Sequence, residues 1–224
     1  MEAIRPTERT RLKRLPKRAS YDREVVHRII DDALFCHVGF IQQGAPFVIP
    51  TLHVRIGERL YLHGSAASRM LRSAAGGIPL CVTVTHIDAL ILARSAFHHS
   101  VNYRSALILG SAEEVTDDAE KTSVLHALIE HVFPGRWRDA RPPNRHELAA
   151  TSVLGLLITE ASAKLRPGGP NDDEEDYALP IWAGVIPLNV VPGAPIADDR
   201  LAAGIQVPEY ATSYRLPHAR GNGG

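Results

Sequence analysis

The chain has few cysteines and no excess of charge of either sign. Only Cys36 and Cys81 occur among 224 residues, each inside an apolar run. Buried thiols in a reducing compartment explain them better than a disulfide or a metal site. The 25 Lys and Arg residues balance 25 Asp and Glu residues. No net charge therefore directs the chain to nucleic acid or to a membrane surface.

The sequence also lacks a long uninterrupted apolar segment. No hydrophobic stretch typical of a secretory signal follows the N-terminus. The longest weakly charged stretch, residues 76–93, contains Pro79, His86 and Asp88, which a membrane span tolerates only at high cost. Hydrophobic residues nevertheless make up 45% of the chain, enough for one sizeable core. We predict a globular, cytoplasmic protein whose apolar runs are buried strands.

Short segments rich in β-branched residues alternate with tight turns. Residues 36–64 read as three strands, separated at Gln43-Gly44 and at Ile56-Gly57-Glu58, both typical of hairpins. Further single strands are predicted over residues 78–93, 103–115, 152–165 and 179–191. Helices are predicted over 20–35, 66–75 and 116–133, with Ser20 or Asp22, Ser65 and Thr116 as their caps. Six or seven strands with three flanking helices indicate a mainly β, α+β fold built on a closed or nearly closed barrel.

The two ends of the chain differ in composition from the middle. The first eighteen residues hold seven Lys and Arg against two acids. Such a run is typical of a solvated tail or a segment packed on an acidic surface, and less often of a nucleic-acid arm. Beyond Asp198 the chain is rich in Gly, Pro and Ala. We predict a basic arm over 1–18, one domain over 19–197, and a C-terminal arm or flexible tail over 198–224.

A turn of small residues follows the third strand. In "HGSAASR", Gly64 allows the backbone to turn, and Ser68 and Arg69 come at the start of the next helix. Unpaired backbone N–H groups together with a hydroxyl and a guanidinium suit a phosphate. An ordinary capped helix with a surface arginine explains the same residues, and both interpretations remain open at this point.

A polar cluster lies at the start of the strand over 103–115. It contains Asn102, Tyr103, Arg104 and Ser105. Such a cluster is either solvated or directed at a ligand, and the residues alone do not decide between the two. If it faces the Ser68–Arg69 turn, it adds donors for a flavin ring edge or a phosphate.

Several segments, taken in order, resemble the FMN-binding split barrels of the pyridoxamine 5′-phosphate oxidase superfamily. They are "GAPFVIPTLHV", "LYLHGSAASRML", "LCVTVTHIDALILARSAFHHSVNYRSALILG" and "IWAGVIPLNV". The chain is most similar to the branch of flavin-nucleotide-binding proteins that is related to nitroimidazole-resistance proteins, from about Arg14 to Val191. The resemblance implies a six-stranded antiparallel split β-barrel that forms a homodimer, with two FMN molecules in clefts between the subunits.

The resemblance also implies which residues bind the cofactor. Ser68 and Arg69 match the pair that grips the FMN phosphate, and residues 49–52 match the strand whose backbone lines the ring. Thr83 and Val84 lie near the ring or the ribityl chain, and Trp182 matches a segment that closes the site from the partner subunit. The predicted cofactor site comprises Ile49, Pro50, Thr51, Leu52, His63, Gly64, Ser65, Ser68, Arg69, Met70, Thr83, Val84, Asn102, Tyr103, Arg104, Ser105 and Trp182.

The chain departs from the oxidase at three places. Met70 stands where the oxidase has a lysine, and Ile49 where it has an arginine. The Arg-x-His pair that binds the pyridoxal substrate is missing after Trp182. Because a charge-assisted hydrogen bond contributes about 1.5–3 kcal/mol, FMN binding should be weaker unless His63, Arg72 or the partner subunit compensates. Vitamin B6 oxidation is disfavoured.

Two functions are consistent with these residues. One is an FMN-dependent oxidoreductase that acts on a small molecule, such as a nitro compound or a quinone-like acceptor. The other is a non-catalytic flavin- or haem-binding redox sensor or regulator. In a flavoprotein the ring carries the chemistry, so no catalytic acid or base is predicted. Haem or metal ligation by histidines is a minor alternative, since no H-x-x-x-H or C-x-x-C spacing supports a dedicated metal site. The histidines concerned are His53, His63, His86, His98 and His99.

Overall fold

A computed structural model describes residues 3–220 of the chain. Residues 1–2 and 221–224, the outer ends of the two predicted terminal segments, lie outside the described residues. The strands are β1 Ala19–Ser20, β2 Phe35–Gln42, β3 Ala45–Ile56, β4 Arg59–Ser65, β5 Pro79–Leu92, β6 Ser100–Glu114, β7 Thr151–Leu157, β8 Glu160–Arg166 and β9 Gly184–Pro187. The helices are α1 Arg23–Asp31, α2 Arg69–Ala75, α3 Asp118–Val132, α4 Arg145–Ala149, α5 Glu209–Thr212 and α6 Pro217–Arg220. Within residues 3–220 no helix has the length and apolar character needed to cross a membrane.

Strands β2 to β7 form a closed antiparallel barrel. Around the ring, β2 pairs with β3, β3 with β4, β4 with β7, β7 with β6, β6 with β5, and β5 again with β2. Strands β8 and β1 extend the sheet from β6, and β9 extends it from β5. The predicted six-stranded split barrel is confirmed, with additional strands at its edges.

Local sequence signals account for the first hairpin and the first helix. Gln43 and Gly44 both have positive φ, 51° and 77°, as a two-residue turn that matches strand twist requires. The predicted cap Asp22 accepts a hydrogen bond from the Glu24 amide at 2.8 Å, which satisfies an N–H at the start of α1.

The other two predicted caps are wrong by one or more residues. Asp117, rather than Thr116, accepts from the Glu120 amide at the start of α3. Helix α2 begins at Arg69, and Ser68 rather than Ser65 occupies its cap position. Acidic residues outcompete threonine as caps when both are adjacent to the helix start.

The stretch predicted as one strand over 152–165 forms two, β7 and β8. The chain reverses at Ile158, whose amide donates to the Glu58 carbonyl at 2.9 Å. Ile158 is completely buried in the core. Because this turn residue is apolar, the hydrophobic pattern of β7 continues into β8, and the sequence does not show that the chain reverses there. The last predicted strand, over 179–191, is reduced to β9.

The main core lies inside the barrel and continues onto α1. Side chains that are inaccessible to solvent alternate along the strands, as Val38, Val82 and Ile108 do, which is the pattern of strands with one face inward. Val26 and Ile30 of α1 belong to the same cluster. A second, smaller core lies between α3 and the outside of strands β3, β4 and β7.

The segment before β1 is packed on the barrel. Ile4 is only 1% exposed and joins the main core, and its amide donates to the Tyr21 carbonyl at 2.8 Å. Thr7 and Arg9 hydrogen-bond to Glu160 in β8. Part of the basic charge near the N-terminus is thus paired within the chain.

Candidate functional site

The Ser68–Arg69 turn lies against β3. The guanidinium carbon of Arg69 is 4.2 Å from the centroid of the Phe47 ring, a favourable cation–π distance. Phe47 precedes the predicted ring-lining residues by two positions along the same strand. The fold therefore places the turn beside the strand that contains residues 49–52, although Phe47 points to the same side of this strand as Ile49.

The turn leaves anion-binding groups available. The Ser65 hydroxyl accepts from the Ala67 amide at 3.2 Å, and the Ser68 hydroxyl makes no capping bond to α2. No carboxylate in the described part of the chain pairs with Arg69. A Cβ at Gly64 would lie 3.0 Å from Leu71 Cδ1, so a larger residue here would require that methyl group to shift by a few tenths of an ångström. A hydroxyl and a guanidinium without a counter-charge are the donors that a phosphate needs.

A second set of predicted residues shares one face of the sheet. His37 lies opposite Pro50 on one side and opposite Thr83 on the other. Thr85 lies opposite Ser105, and Ile87 opposite Tyr103. Since paired residues of antiparallel strands point to the same side, these side chains share the side away from the barrel core. We call it the outer face; it comprises Phe35, His37, Ile41, Val48, Pro50, Leu52, Thr83, Thr85, Ile87, Tyr103 and Ser105.

Three predicted site residues point into the core. Val84 is completely buried, Met70 is 6% exposed, and Ile49 packs against the same core cluster. Only their backbone groups are available to a ligand. At positions 49 and 70 the oxidase has an arginine and a lysine, whereas this chain has Ile49 and Met70. Their packing against an apolar core explains why these residues are apolar.

Arg104 is held on the opposite side of the sheet from Ser105. Its Nη1 donates to Asp32 Oδ2 at 2.7 Å, and its Nε to Asp88 Oδ2 at 3.2 Å. Burial lowers the pKa of Arg104, but the hydrogen bonds that its guanidinium donates to Asp88 and Asp32 outweigh it, and the pKa is raised. This arginine is therefore engaged in an ion-pair triad with the end of α1, and its charge is neutralised by two carboxylates.

Asn102 likewise bonds within the chain. Its Nδ2 donates to the Gly168 carbonyl at 2.9 Å, and its Oδ1 accepts from Arg166 Nη1 at 2.6 Å. Of the predicted polar cluster, the structure thus places Tyr103 and Ser105 on the outer face. Asn102 and Arg104 instead order neighbouring segments.

Three histidines bind the end of α1. The Nε2 atoms of His86, His53 and His131 donate to the carbonyls of Ile29, Ile30 and Ala33 at 2.9, 3.0 and 2.8 Å. These carbonyls belong to the helix end, where intrahelical partners are missing. Burial lowers the pKa of His53 to about 4, so it is neutral at pH 7. His53 and His86 therefore have structural partners.

The other three histidines considered from the sequence have different surroundings. His98 lies 3.3 Å from an Asp173 carboxylate oxygen, and His99 Nδ1 donates to the Ser95 carbonyl. Both belong to the loop between β5 and β6. His63, beside the phosphate turn, has a buried Nδ1 without a hydrogen-bond partner, and burial lowers its pKa. It is the histidine with an unused donor near Gly64.

Sequence reasoning missed three charged or ionisable residues. His37 stands between Pro50 and Thr83. Lys164 and Arg166 of β8 lie opposite Ser105 and Tyr103, and Arg166 is 8% exposed with an Nε that has no partner. The alternation of side chains in "HVG" and in "KLR" indicates which residues of each strand lie on the same face. The sequence did not reveal which strands pair, so the neighbours of these residues could not be predicted.

Trp182 lies beside β9 at the edge of the sheet and is 66% exposed. Its ring folds back over Gly184, where a Cβ would approach within 2.8 Å of ring carbons. The absence of a side chain at Gly184 therefore leaves room for the Trp182 ring to pack over the backbone. An exposed tryptophan next to β5 is available to a second subunit.

Comparisons with known proteins identify the family and the fold of the chain. The sequence model of the family described as pyridoxamine 5′-phosphate oxidase matches residues 22–165. The structure of the flavocytochrome Anf3 from Azotobacter vinelandii is 42% identical over 94% of this chain and 98% of that one, with a TM-score of 0.89. The FAD and haem binding protein from Mycobacterium smegmatis is 38% identical over 86% and 95%, with a TM-score of 0.82.

A more distant structure agrees in fold alone. It is a proposed 5-nitroimidazole antibiotic resistance protein from Bacteroides thetaiotaomicron, 22% identical over 65% of this chain and 85% of that one, with a TM-score of 0.54. No curated protein matches the chain.

Proposed function

Because the chain belongs to the pyridoxamine 5′-phosphate oxidase family of flavin-binding proteins, we propose that it is an oxidoreductase that carries both a flavin nucleotide and haem. Two relatives described above, 42% and 38% identical, align with this chain over nearly their whole lengths. Their names describe a flavocytochrome and an FAD and haem binding protein. Our proposal thus combines the flavin-dependent oxidoreductase with the haem binding of the sequence-based alternative, which was a non-catalytic flavin- or haem-binding redox sensor or regulator.

The observation that carries the flavin part is the contact between Arg69 and Phe47. It brings the unpaired guanidinium to the strand that presents Pro50 on the outer face. In our proposal Ser68 and Arg69 hold a flavin phosphate, and the ring lies over Pro50 and Thr83. Charge-assisted hydrogen bonds from a guanidinium are among the strong ones, which suits a phosphate anchor at an exposed turn.

We propose FAD as the flavin, where the sequence favoured FMN. The relative from Mycobacterium smegmatis is an FAD-binding protein. Lys164 and Arg166 add two positive charges near Tyr103 and Ser105, and an additional phosphate group is a natural partner for them. Chromatography of the flavin released by denaturation distinguishes the two, and FMN alone would contradict this choice.

The chain's residues position the cofactors and supply few ionisable groups. When bound, a flavin supplies hydride and single-electron transfer, and haem supplies single-electron transfer. On the outer face His37 is the exposed ionisable side chain between Pro50 and Thr83, and it is available to exchange a hydrogen bond or a proton with a bound ring. Trp182 and the apolar outer-face residues exclude water once a second subunit covers them.

The outer face also supports a homodimer. Ile41, Val48 and Ile87 are 66%, 64% and 58% exposed, although each is a large apolar residue on a regular strand. Contiguous exposed apolar residues mark interaction surfaces. We propose that two copies cover this face and that Trp182 closes the site of the second copy, so that each flavin lies between the subunits.

Absorption spectroscopy of the purified protein tests the proposal directly. We expect flavin bands together with the strong Soret band of haem. Stopped-flow mixing with NADH or NADPH should then bleach the flavin and reduce the haem, followed by reoxidation with an acceptor. Protein that remains colourless after incubation with both cofactors contradicts the proposal, and bound cofactors that no reductant changes would contradict an oxidoreductase.

A further inference from the structure

A large apolar cavity lies away from the outer face. It has a volume of about 1080 Å³ and is lined by α3, by residues 133–147 and by a C-terminal segment over 192–214. This volume is at the upper end of ligand sites, which are about 300–1,000 Å³. None of the residues predicted for the flavin site lines the cavity, so a ligand here would not compete with a flavin.

Apolar side chains in the wall of this cavity are accessible to solvent. Ile205, Phe133 and Leu201 are 57%, 48% and 44% exposed, and all three line the cavity. Covering such surface is favourable, and ligand sites are typically concave and mostly apolar. The cavity therefore favours a ligand with a long apolar part.

Two tyrosines attach the C-terminal wall to the end of α3. The Tyr210 hydroxyl accepts from Arg136 Nη1 at 2.9 Å, and the Tyr214 hydroxyl donates to the Val132 carbonyl at 2.8 Å. All four residues line the cavity. Hydrogen bonds between its walls therefore hold the cavity in shape, as expected of a largely preformed ligand site.

One cation at the wall has no counter-charge. Arg136 is exposed, and no carboxylate in the described part of the chain forms an ion pair with it. The nearby Asp139 pairs with Arg138 at 3.6 Å, and Arg141, the other arginine of the lining, pairs with Glu147 at 2.6 Å. A guanidinium has five N–H donors in a fork that matches a carboxylate. Arg136 therefore retains donors for an anionic ligand.

We propose that this cavity binds a long-chain carboxylate, such as a fatty acid, with its alkyl chain on the apolar wall and its carboxylate on Arg136. A ligand of this class uses both features of the site. A neutral apolar molecule would make no ion pair with the guanidinium, and a small anion would leave the apolar wall uncovered. The site is separate from the proposed cofactors and does not depend on them.

A series of probes with different head groups tests the class of ligand. Dodecanoate, dodecanol and dodecyltrimethylammonium are titrated by calorimetry into the purified protein, after bound lipid has been extracted. We expect dodecanoate to bind about tenfold more tightly than dodecanol, the effect of one charged hydrogen bond, and the cation to bind more weakly still. Shorter carboxylates should lose about fourfold in affinity for each methylene removed. No binding of dodecanoate, or equal affinity for the three head groups, overturns the proposal.

Two variants separate the charge of Arg136 from its hydrogen bond to Tyr210. Arg136→Ala removes both, whereas Tyr210→Phe removes the hydrogen bond and keeps the guanidinium. We expect Arg136→Ala to bind dodecanoate about tenfold more weakly and dodecanol as before, so that the preference for the carboxylate disappears. Tyr210→Phe should keep that preference. An unchanged preference in Arg136→Ala, or its loss in Tyr210→Phe as well, overturns Arg136 as the anchor of the carboxylate.

A second pair of variants tests the location of the alkyl chain. Ala211→Phe places a large ring in the cavity, which Ala211 lines, and Ala203→Phe makes the same change at an exposed position outside it. We expect Ala211→Phe to abolish dodecanoate binding and Ala203→Phe to bind as the unmodified protein does. Unaltered binding in Ala211→Phe overturns the cavity as the site.

Two further measurements complete the test of the cavity. Circular dichroism melts show whether each variant folds, and if Ala211→Phe does not fold, the comparison of Arg136→Ala with Tyr210→Phe decides. Analytical ultracentrifugation examines a second copy of the chain as an alternative occupant. We expect Ala211→Phe to sediment as the unmodified protein does. A dimer that dissociates in this variant would mean that a second copy covers the cavity, and it would overturn the proposed ligand.

Discussion

At the residue scale, several side chains that resembled site residues serve to hold α1 in place. His53, His86 and Arg104 all reach the end of this helix, from β3, β5 and β6. A helix end needs partners for its last carbonyls, and imidazole N–H groups provide them in the apolar interior. These polar residues lie next to predicted ligand-binding segments, but their side chains stabilise the end of α1. The local sequence did not reveal this structural role.

His53 makes the stability of the fold sensitive to acid. Its folded-state pKa is about 4 because of burial, whereas the ordinary value is about 6.5. The unfolded chain thus binds a proton more readily, and stability is fully present above pH 6.5 and lost as the pH falls through 4. At about 1.4 kcal/mol per pKa unit the loss amounts to about 3 kcal/mol.

Urea denaturation between about pH 7.5 and pH 4.5 measures this loss. In the His53→Asn variant we expect the free energy of unfolding to depend less on pH, although it is lower throughout. A variant with the same pH dependence as the unmodified protein would mean that His53 is not responsible.

Arg69→Ala tests the phosphate anchor. We expect the flavin affinity to fall at least about tenfold, since one charged hydrogen bond carries about that free energy. The barrel should persist because Arg69 is exposed. Arg28→Ala removes an exposed arginine from a different helix, α1. It is the control and should leave the affinity unchanged. Fluorescence quenching of the flavin measures both, and unaltered affinity in Arg69→Ala would place the phosphate elsewhere.

At the element scale, the C-terminal segment is separate from the cores. Both core clusters, including their partly buried members, end at Leu165. The residues that follow contribute β9 and Trp182, and they form one wall of an apolar cavity that α3 and residues 133–147 also line. The barrel and the cavity therefore depend on different parts of the chain, although they touch at Leu34.

Truncation after Val191 separates these two roles. We expect the shortened chain to keep its thermal transition and its flavin, because no core residue is removed. Circular dichroism melts measure the transition, and absorbance spectra measure the flavin content. A chain that no longer folds, or that loses its flavin, contradicts this assignment of roles.

At the scale of the whole molecule, we propose that a second copy covers the outer face. Large apolar residues on three strands are exposed in the single chain, and the proposed flavin would rest on the same surface. Dimerisation and flavin binding should therefore be coupled, with each strengthening the other.

Val48→Glu tests that coupling. Burying a carboxylate in an apolar interface is costly, so we expect a monomer in analytical ultracentrifugation and weaker flavin binding. Ile56→Glu, at the exposed end of the same strand, should remain dimeric with normal flavin content. An unmodified protein that sediments as a monomer, or a dimeric Val48→Glu variant with full flavin, contradicts the proposed interface.

Local patterns in the sequence were sufficient for much of the fold. The Asp22 cap, the Gln43-Gly44 turn and the alternation along β2 and β5 depend on neighbouring residues, and they indicated the elements that the structure contains. The turn at Ile158 was missed because a buried apolar residue occupies it. The short helix α4 was also missed, although Asn144 and Glu147 form a capping box there.

What the sequence by itself determined is the class of barrel, the first helix and the small-residue turn with Ser68 and Arg69, since these depend on the spacing of adjacent residues. Only the tertiary structure decided which side chains share a surface. His37 meets Pro50 and Thr83 through strand register, and Arg104 turns to Asp32. The cavity joins Leu34 to Leu201, residues far apart along the chain. Such contacts are set by how strands pair and where helices pack, and no local periodicity encodes them.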